Sequence, residues 1–527
     1  MNLHIARVLI STFMLVLLTT QASHAASQDN VVFDIAKFEV IGNTLLPPSM
    51  IDSTLAPFIG KDRDFDTIQS AMDALEKLFH DKGYKLTSIG LMEQELNRGV
   101  VQLNVVSTTI GRIIVSGNSF FDNANIARSL PGLVVGKTPN MDALSHSIKF
   151  ANEHPNKKIT TKLRTGENPN EVDAILDVQE ENPWKMNASA DNAGQVTTGS
   201  TNIGFALQNN NFLGRDHLLN VQYATTAQKP KQIGIYGGSY HIPLYETKNS
   251  LDFYANYSDV DSGTVVFGLT DIGIAGKGTI VGTRYNMRLS DDKNSEAKLA
   301  LGLDVKAFKN TQRISGFDLG SEIVVRPVSL NYLNQWVVAD GLMNISLTVL
   351  QNIPGANNGN QDDFEKSRQG AKANFGLLRY SMTYFRASES DLQIRTVLNG
   401  QYARSALISG EQFGAGGASS VRGFSERALS DDSGMSLNAE LYSSNLCLGM
   451  ADWNCRFLGF YDAAVVKRNE PLPGELGRQA ISSGGLGWRF SMGTRIALQI
   501  DYGHVLKENK FGSAARNRTH ARANFSF

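Results

Sequence analysis

The strongest constraint on how this chain folds is a long series of segments, each about ten residues, in which apolar and polar side chains alternate. From Trp184 to the C-terminus these segments follow one another, separated by tracts of Asn, Asp, Gly and Ser. Leu251, Phe253, Ala255 and Tyr257 share one face of such a segment, while Asp252, Tyr254, Asn256 and Ser258 share the other. Leu299, Leu301, Leu303 and Val305 oppose Lys298, Asp304 and Lys306, and Met343, Ile345, Leu347 and Val349 oppose Asn344, Ser346 and Thr348. A period of two is the side-chain repeat of a β-strand. A soluble sandwich alternates in the same way, but here the segments follow an export leader. Arg7 supplies its charge, Val8 to Thr19 its apolar stretch and Ser23-His24-Ala25 its small residues for cleavage, so residues 1–25 read as a signal peptide and the mature chain starts near Ala26. The apolar stretch is shorter than the ~17 to 25 residues that span a bilayer as a helix, which argues against a membrane anchor.

An exported chain of this kind points to a transmembrane barrel, apolar outside and polar in its lumen. A sheet in lipid has to close, because no water is present to satisfy an edge. About 16 antiparallel strands fit from Trp184 onward, an even number when both ends lie in the periplasm. The last six read as Leu392 to Tyr402, Met435 to Tyr442, Arg456 to Val465, Gly485 to Phe490, Ile496 to Tyr502 and His520 to Phe527. In the final one Ala521, Ala523, Phe525 and Phe527 face outward, and His520, Arg522, Asn524 and Ser526 inward.

Composition narrows the function. Fifty basic against 51 acidic residues leave no charge excess to attract nucleic acid. No further apolar run of about 18 residues suits a helical membrane protein. The nine histidines are scattered, no His-Glu-x-x-His occurs, and the sequence offers neither a metal site, a cofactor motif nor an enzyme's constellation. Ala275-Gly276-Lys277-Gly278-Thr279 looks superficially like a phosphate loop but has Asp271 where the first glycine belongs. Cys447 and Cys455, eight residues apart, either close a small disulfide in an oxidising periplasm or stay as two thiols; two cysteines are too few for a disulfide scaffold.

The first third contains a repeat. Phe38-Glu39-Val40-Ile41-Gly42-Asn43 returns as Ile113-Ile114-Val115-Ser116-Gly117-Asn118, and Gly60-Lys61 followed by Asp66 returns as Gly136-Lys137 followed by Asp142, at offsets of 75 and 76 residues. Each copy reads as strand, turn, two helices and two strands, an α+β module. In the first, a helix capped by Asp66 carries Ile68, Met72, Leu75 and Phe79 and ends at Gly83, and strands follow at Leu86 to Leu91 and Val100 to Val106. In the second, Asn140 or Asp142 starts a helix with Leu144, Ile148 and Phe150, ahead of strands at Ile159 to Leu163 and Val172 to Val178. The modules span 33–106 and 107–181 and the barrel 182–527. With its Gly-Asn turn, the Glu93-to-Gly99 segment and Asn152-Glu153-His154-Pro155, the repeat resembles the polypeptide-transport-associated (POTRA) domain. The open edge of a small sheet can bind an extended foreign chain; the plainer alternative is a spacer.

A Gly- and Ser-rich loop between the strands at Tyr402 and Met435 holds Ser420-Val421-Arg422-Gly423-Phe424. Two strands later, Phe460, Asp462 and Ala464 share a face with Arg456, taken as the lumen side. Together these resemble the signature of the BamA-like outer-membrane superfamily and, with two modules, its two-partner secretion branch (TpsB, the ShlB/FhaC/HecB haemolysin secretion and activation type). The resemblance implies that the loop, with Val421, Gly423 and Phe424 around its arginine, folds into the barrel, and that Arg422 meets Asp462 beside Phe460 and Ala464; Asp501 is the rival partner. Ala464 stands where the family usually has glycine. Gly485-Leu486-Gly487-Trp488-Arg489 is also similar to the family. A guanidinium grips a carboxylate with two parallel hydrogen bonds, which makes the pair a latch for the loop's position.

The same resemblance implies a function. It is a pore in the bacterial outer membrane that exports a large TpsA-like exoprotein, extended in the periplasm, without ATP. The alternative is a BamA-like insertion factor, and a passive porin is a third reading. Its partners would be that cargo, outer-membrane lipid and, through a terminal-aromatic signal at Phe527, the barrel-assembly machinery; the chain would act as a monomer. Many such transporters thread an N-terminal helix through the pore. Ala26 to Val32 leave room for about 10 Å of helix, so the folded-in loop alone is expected to restrict this channel.

Overall fold

The computed structural model describes residues 32–527 except 96–97, 195–198, 260–263, 266–273, 276, 292–293, 311–312, 315–316, 319–320, 340, 451 and 509–514. The leader, residues 26–31 that bear on a plug helix, and Gly276 of the phosphate-loop-like stretch lie outside the described residues.

Two compact units make up the chain, and the first ends at Thr108. Its sheet has Val100–Ser107 at the centre, parallel to Lys37–Ile41 and antiparallel to Thr87–Leu91. Helices Pro48–Leu55 and Phe65–Asp81 bury Ile51, Leu55, Ile68, Leu75 and Phe79 against Phe38, Val101, Leu103 and Val105. The long helix is capped by Asp64, whose side chain accepts from the Thr67 amide at 2.9 Å. Asp66, expected as the cap, lies in the first turn, because Asp64 is the residue with extended backbone (φ −113°, ψ 178°). Gly42, at φ +82°, leaves only 2.7 Å between a would-be Cβ and the Val105 carbonyl, so the turn needs glycine.

The second unit, from Thr109, opens with the same plan. Glu171–Glu180 is parallel to Thr109–Ser116 and antiparallel to Lys157–Thr165, with Asn123–Ser129 and Met141–Ala151 packed on one face around Phe121, Ile126 and Leu144. Asn140 caps the second helix through the Ala143 amide, 2.9 Å away. Gly117 repeats Gly42 with φ +82° and a close approach to the Val178 carbonyl.

The chain then enters a closed antiparallel barrel of sixteen strands, counting Ser321–Val325 and Pro327–Val338, which both pair with Ser295–Asn310, as one. In order they are Trp184–Asp191, Asn202–Phe212, His217–Thr226, Ile235–Leu244, Asn249–Ser258, Lys277–Asp291, Ser295–Asn310, the interrupted eighth, Gly341–Asn352, Gly376–Ala387, Gln393–Ala403, Ser433–Tyr442, Trp453–Lys467, Arg478–Met492, Ile496–Lys507 and Asn517–Ser526. The eighth breaks before Pro327, which has no N–H for the ladder. Phe253, Leu303 and Val349 point outward and are exposed, while Tyr254, Asp304 and Lys306 are buried inside. The last strand pairs with the first from Arg522↔Asp191 to Ser526↔Asn187, and Phe527 and Met186 exchange two backbone hydrogen bonds of 2.9 and 3.1 Å. Several strands outrun their sequence bounds: Trp453–Lys467 and Arg478–Met492 stay paired out to Lys467↔Arg478, since a hydrogen-bonded ladder continues past the apolar band.

Candidate functional site

The segment between the eleventh and twelfth strands, residues 404–432, folds into the lumen. A small hairpin, Phe413–Ala415 with Leu429–Asp431, stiffens its base. Its inner part packs Val421, Phe424, Ala415 and Leu429 against Ala464, Val466, Ile481 and Val505 of the wall. This apolar contact brings the backbone of the loop down to the wall, and Arg422, 2% exposed, arrives with it.

Arg422 Nε lies 2.7 Å from Asp462 Oδ2 and Nη2 lies 2.8 Å from Oδ1, a two-pronged grip to which the Arg422 amide adds a third hydrogen bond of 3.1 Å. Nη1 reaches Glu440 at 2.8 Å and Asp501 at 3.5 Å. The guanidinium sits 3.5 Å above the Phe460 ring. Asn438 donates to Asp462 at 2.8 Å and also holds the Ser420 carbonyl. The Gly423 amide donates to His520 Nε2 at 3.1 Å. Arg395 pairs with Glu440 (3.0 Å) and Arg489 with Asp501 (2.8 Å), so three guanidinium groups meet three carboxylates without surplus charge. That balance is what allows Arg422 and the three carboxylates to lie buried together, with Arg395 and Arg489 reaching in from more exposed positions.

Asp462, Phe460, Ala464 and Arg456 all face inward, and Asp501 is a neighbour of Arg422 at longer range, held mainly by Arg489. The close approach of the loop falls at Gly503, not at position 464. A Cβ on Gly503 would lie 2.6 Å from the Gly423 nitrogen, whereas the Ala464 methyl joins the apolar cluster. Gly423 itself has φ +92°. Sequence reasoning missed Asn438, Glu440, His520 and Gly503. Asn438, Glu440 and His520 sit at inward positions of strands beside Asp462's or Asp501's, and Gly503 sits two residues along Asp501's own strand; that parity was the available signal.

A second anchor was not foreseen. Glu411, fully buried in the same loop, accepts from Lys306 at 2.7 Å and Arg379 at 2.8 Å, and its carbonyl accepts from Gln401 at 2.8 Å. Lys306 is on the seventh strand and Asp501 on the fifteenth, half the circumference apart. The loop is therefore a crossbar, its carboxylate end held by wall cations and its guanidinium end by wall anions. Above it Asp432, also buried, accepts from Arg368, the Leu407 amide (2.9 Å) and the Asn469 amide (2.7 Å), tying three loops together.

At the opposite end the second module is joined to the barrel by a buried polar cluster. Lys157 Nζ meets Asp216 at 2.6 Å in the turn between the second and third strands, both side chains at most 1% exposed. Asn125 (2.8 Å) and the Tyr245 hydroxyl (2.6 Å) also donate to Asp216. Burial lowers the Lys157 ammonium, against the pull of Asp216. His154, hydrogen-bonded to the Asn210 carbonyl at 2.6 Å, is lowered by burial to about 4, with Asp216 opposing. Cys447, in the turn after the twelfth strand, and Cys455, at the start of the thirteenth, form a disulfide with Cα atoms 5.4 Å apart.

Comparison with known proteins gives a consistent result. A family model described as haemolysin secretion/activation protein ShlB/FhaC/HecB matches residues 170–490, and one for the ShlB-type POTRA domain matches residues 33–108. The chain is 21% identical over 426 residues to the outer membrane transporter CdiB of Dickeya dadantii, covering 78% of this chain and 72% of that protein. Over 504 residues it is 22% identical to the hemolysin transporter protein ShlB of Serratia marcescens, covering 93% and 83%. The solved structure of CdiB from Escherichia coli is similar at a TM-score of 0.70 and 18% identity, over 97% of this chain and 93% of that one, a likeness of fold.

Proposed function

We propose, from the premise that the chain belongs to the ShlB/FhaC/HecB haemolysin secretion/activation family, that its loop crossbar gates an outer-membrane pore through which a partner exoprotein leaves the periplasm. The barrel lies in the outer membrane and the POTRA-type modules in the periplasm, the arrangement of a two-partner secretion transporter. The observation that carries the gate is the crossbar itself: a loop held on one side by Lys306 and Arg379 and on the other by Asp462, Glu440 and Asp501 obstructs the path of a chain through the lumen.

Export then needs the loop to exchange these partners for water or cargo. Because the three guanidinium and three carboxylate groups at the Arg422 anchor balance while two cations hold the single carboxylate of Glu411, a passing segment with its own charged side chains can replace the loop's contacts one at a time, and no step calls for nucleotide. The cargo is an extended, unfolded exoprotein, taken up by strand addition at an open edge of a module, such as Thr87–Leu91 in the first. Folding outside the cell biases net movement outward. Phe527, at the end of the closing strand, serves as the recognition signal for barrel assembly, and one chain forms one pore.

The test is secretion in a deletion strain. Wild-type chain should restore one surface or culture-medium protein, and an Arg422→Ala chain that still inserts should not. Broad loss of barrel proteins on deletion would favour an insertion factor instead, and normal secretion by Arg422→Ala would remove the gate from the mechanism.

A further inference from the structure

The turn joining Ser433–Tyr442 to Trp453–Lys467 is unlike the others at its end of the barrel. The strand bounds leave ten residues there, 443–452, against two to five in each of the other turns on the side where the chain enters and ends. Long turns are usually loose, but this one is built. Asn445 Oδ1 accepts from the Cys447 amide at 3.1 Å and the Cys455 amide at 2.9 Å, and its Nδ2 donates to the Trp453 carbonyl at 3.0 Å. The Asn445 amide donates to Asp391 of the neighbouring turn at 2.8 Å, and Arg456 grips both Asp391 oxygens at 2.9 Å. The disulfide closes the base.

What this scaffold displays is apolar. Leu446 is 55% exposed, Leu448 82% and Met450 55%. Between Ser443 and Trp453 there is no Lys, Arg or His, and the one charged side chain, Asp452, stands at the base next to Trp453. A rigid support that holds three large apolar side chains clear of the fold signals a partner that removes them from water. The direction of the tip identifies it. Cys455 lies on the same face of its strand as Phe457 and Tyr461, which are exposed on the outside of the barrel, so the disulfide stands on the lipid side. Directly beside it on that face run Trp453 and Phe490, with ring centroids 5.0 Å apart, and Phe457 and Trp488, stacked at 6.4 Å. Aromatic residues at the end of barrel strands mark the membrane boundary, and the turn continues that belt.

We propose that this turn is a lipid-inserted foot: Leu446, Leu448 and Met450 enter the acyl boundary of the periplasmic leaflet, clasped in place by Cys447–Cys455. Its partner is the hydrocarbon of the phospholipid rather than an anionic headgroup, because the tip carries no cation to attract one. The consequence for the pore is mechanical. The foot links the two strands that carry Glu440 and Asp462, so it keeps these acceptors of Arg422 at a fixed depth while the loop moves.

The experiment places the photoreactive residue p-benzoylphenylalanine at Leu448 of the full chain, reconstituted in nanodiscs of phosphatidylethanolamine with or without phosphatidylglycerol. After irradiation the peptide containing position 448 is analysed by mass spectrometry. Phospholipid adducts at similar yield in both compositions are expected, with a several-fold fall when Cys447→Ser and Cys455→Ser open the clasp. Adducts to a second protein chain, absence of any lipid adduct, or a yield that depends on phosphatidylglycerol would each overturn the proposal, and an unchanged yield without the cysteines would overturn the clasp. Secretion is not measured, so the outcome is independent of whether the chain is a secretion pore.

Discussion

Replacing Asp462 by asparagine keeps the shape of a fully buried side chain but removes the charge that accepts from Arg422 N, Nε and Nη2 and from Asn438. The new amide also turns a donor toward the guanidinium. Stripping a buried ion of its only partner costs about 3–5 kcal/mol. Arg422 keeps Glu440 at 2.8 Å and Asp501 at 3.5 Å, so the loss falls to the range of a charged hydrogen bond, about 2 kcal/mol. If that energy holds the loop across the lumen, the ratio of closed to open states drops by about 30-fold. Glu411→Gln acts on the other end of the crossbar. Of its two partners, Arg379 is 40% exposed, where water substitutes for the carboxylate, and Lys306, 11% exposed, can still donate to the amide oxygen, so the effect is smaller, about tenfold. The two anchors share no side chain, and their effects should multiply in the double variant to about 300-fold. The assay is single-channel recording of the purified chain in planar bilayers, reading open probability at several salt concentrations. An unchanged open probability in Asp462→Asn, in protein whose barrel melts normally, would refute the crossbar as a gate; so would a double variant no more open than either single one.

Other expectations follow from the same contacts. Gly503→Val places a side chain where the Gly423 nitrogen now lies 2.6 Å from a would-be Cβ, so the loop should be displaced and conductance raised with the barrel intact by heat-modifiable electrophoresis. Lys157→Met leaves Asp216 buried without its cation and should weaken the joint between second module and barrel by about 3–5 kcal/mol, seen as faster hydrogen exchange over 109–180; adding Asp216→Asn should recover part of it. His154, at about 4 when folded against 6.5 when free, stays neutral where the unfolded chain takes up a proton. Its contribution is intact above pH 6.5 and is lost as the pH falls toward 4, about 3 kcal/mol in all, and His154→Gln should flatten that dependence in exchange measurements.

Much of the architecture was legible in the chain because it is written at short range. The alternation of Leu299 to Lys306 or Met343 to Val349 specifies which side of a strand meets lipid, and the requirement for closure turns a row of such strands into a barrel. The Gly42 and Gly117 turns mark the modules, since only glycine takes their positive φ so close to a carbonyl. At one-residue precision the local signal failed: Asp64 and Asp66 are equally good capping residues, and backbone geometry chose the first.

Arg422 and Asp462 were marked by the resemblance of their motifs to a known family, with parity placing Asp462 on the inward face, but the rest of the site depended on tertiary structure. Glu411 and Lys306 are 105 residues apart, and nothing distinguishes that glutamate from other polar residues of the chain until the loop has crossed the lumen. The closeness of Gly503 to Gly423 arises only when the fifteenth strand lies two positions beyond the strand of Asp462 with its register set. Lys157 and Asp216 likewise meet only after a module has docked on a turn. Periodicity determines which face a side chain joins; strand order, register and loop path determine which of the many groups on that face it touches, because those depend on packing summed over the whole barrel.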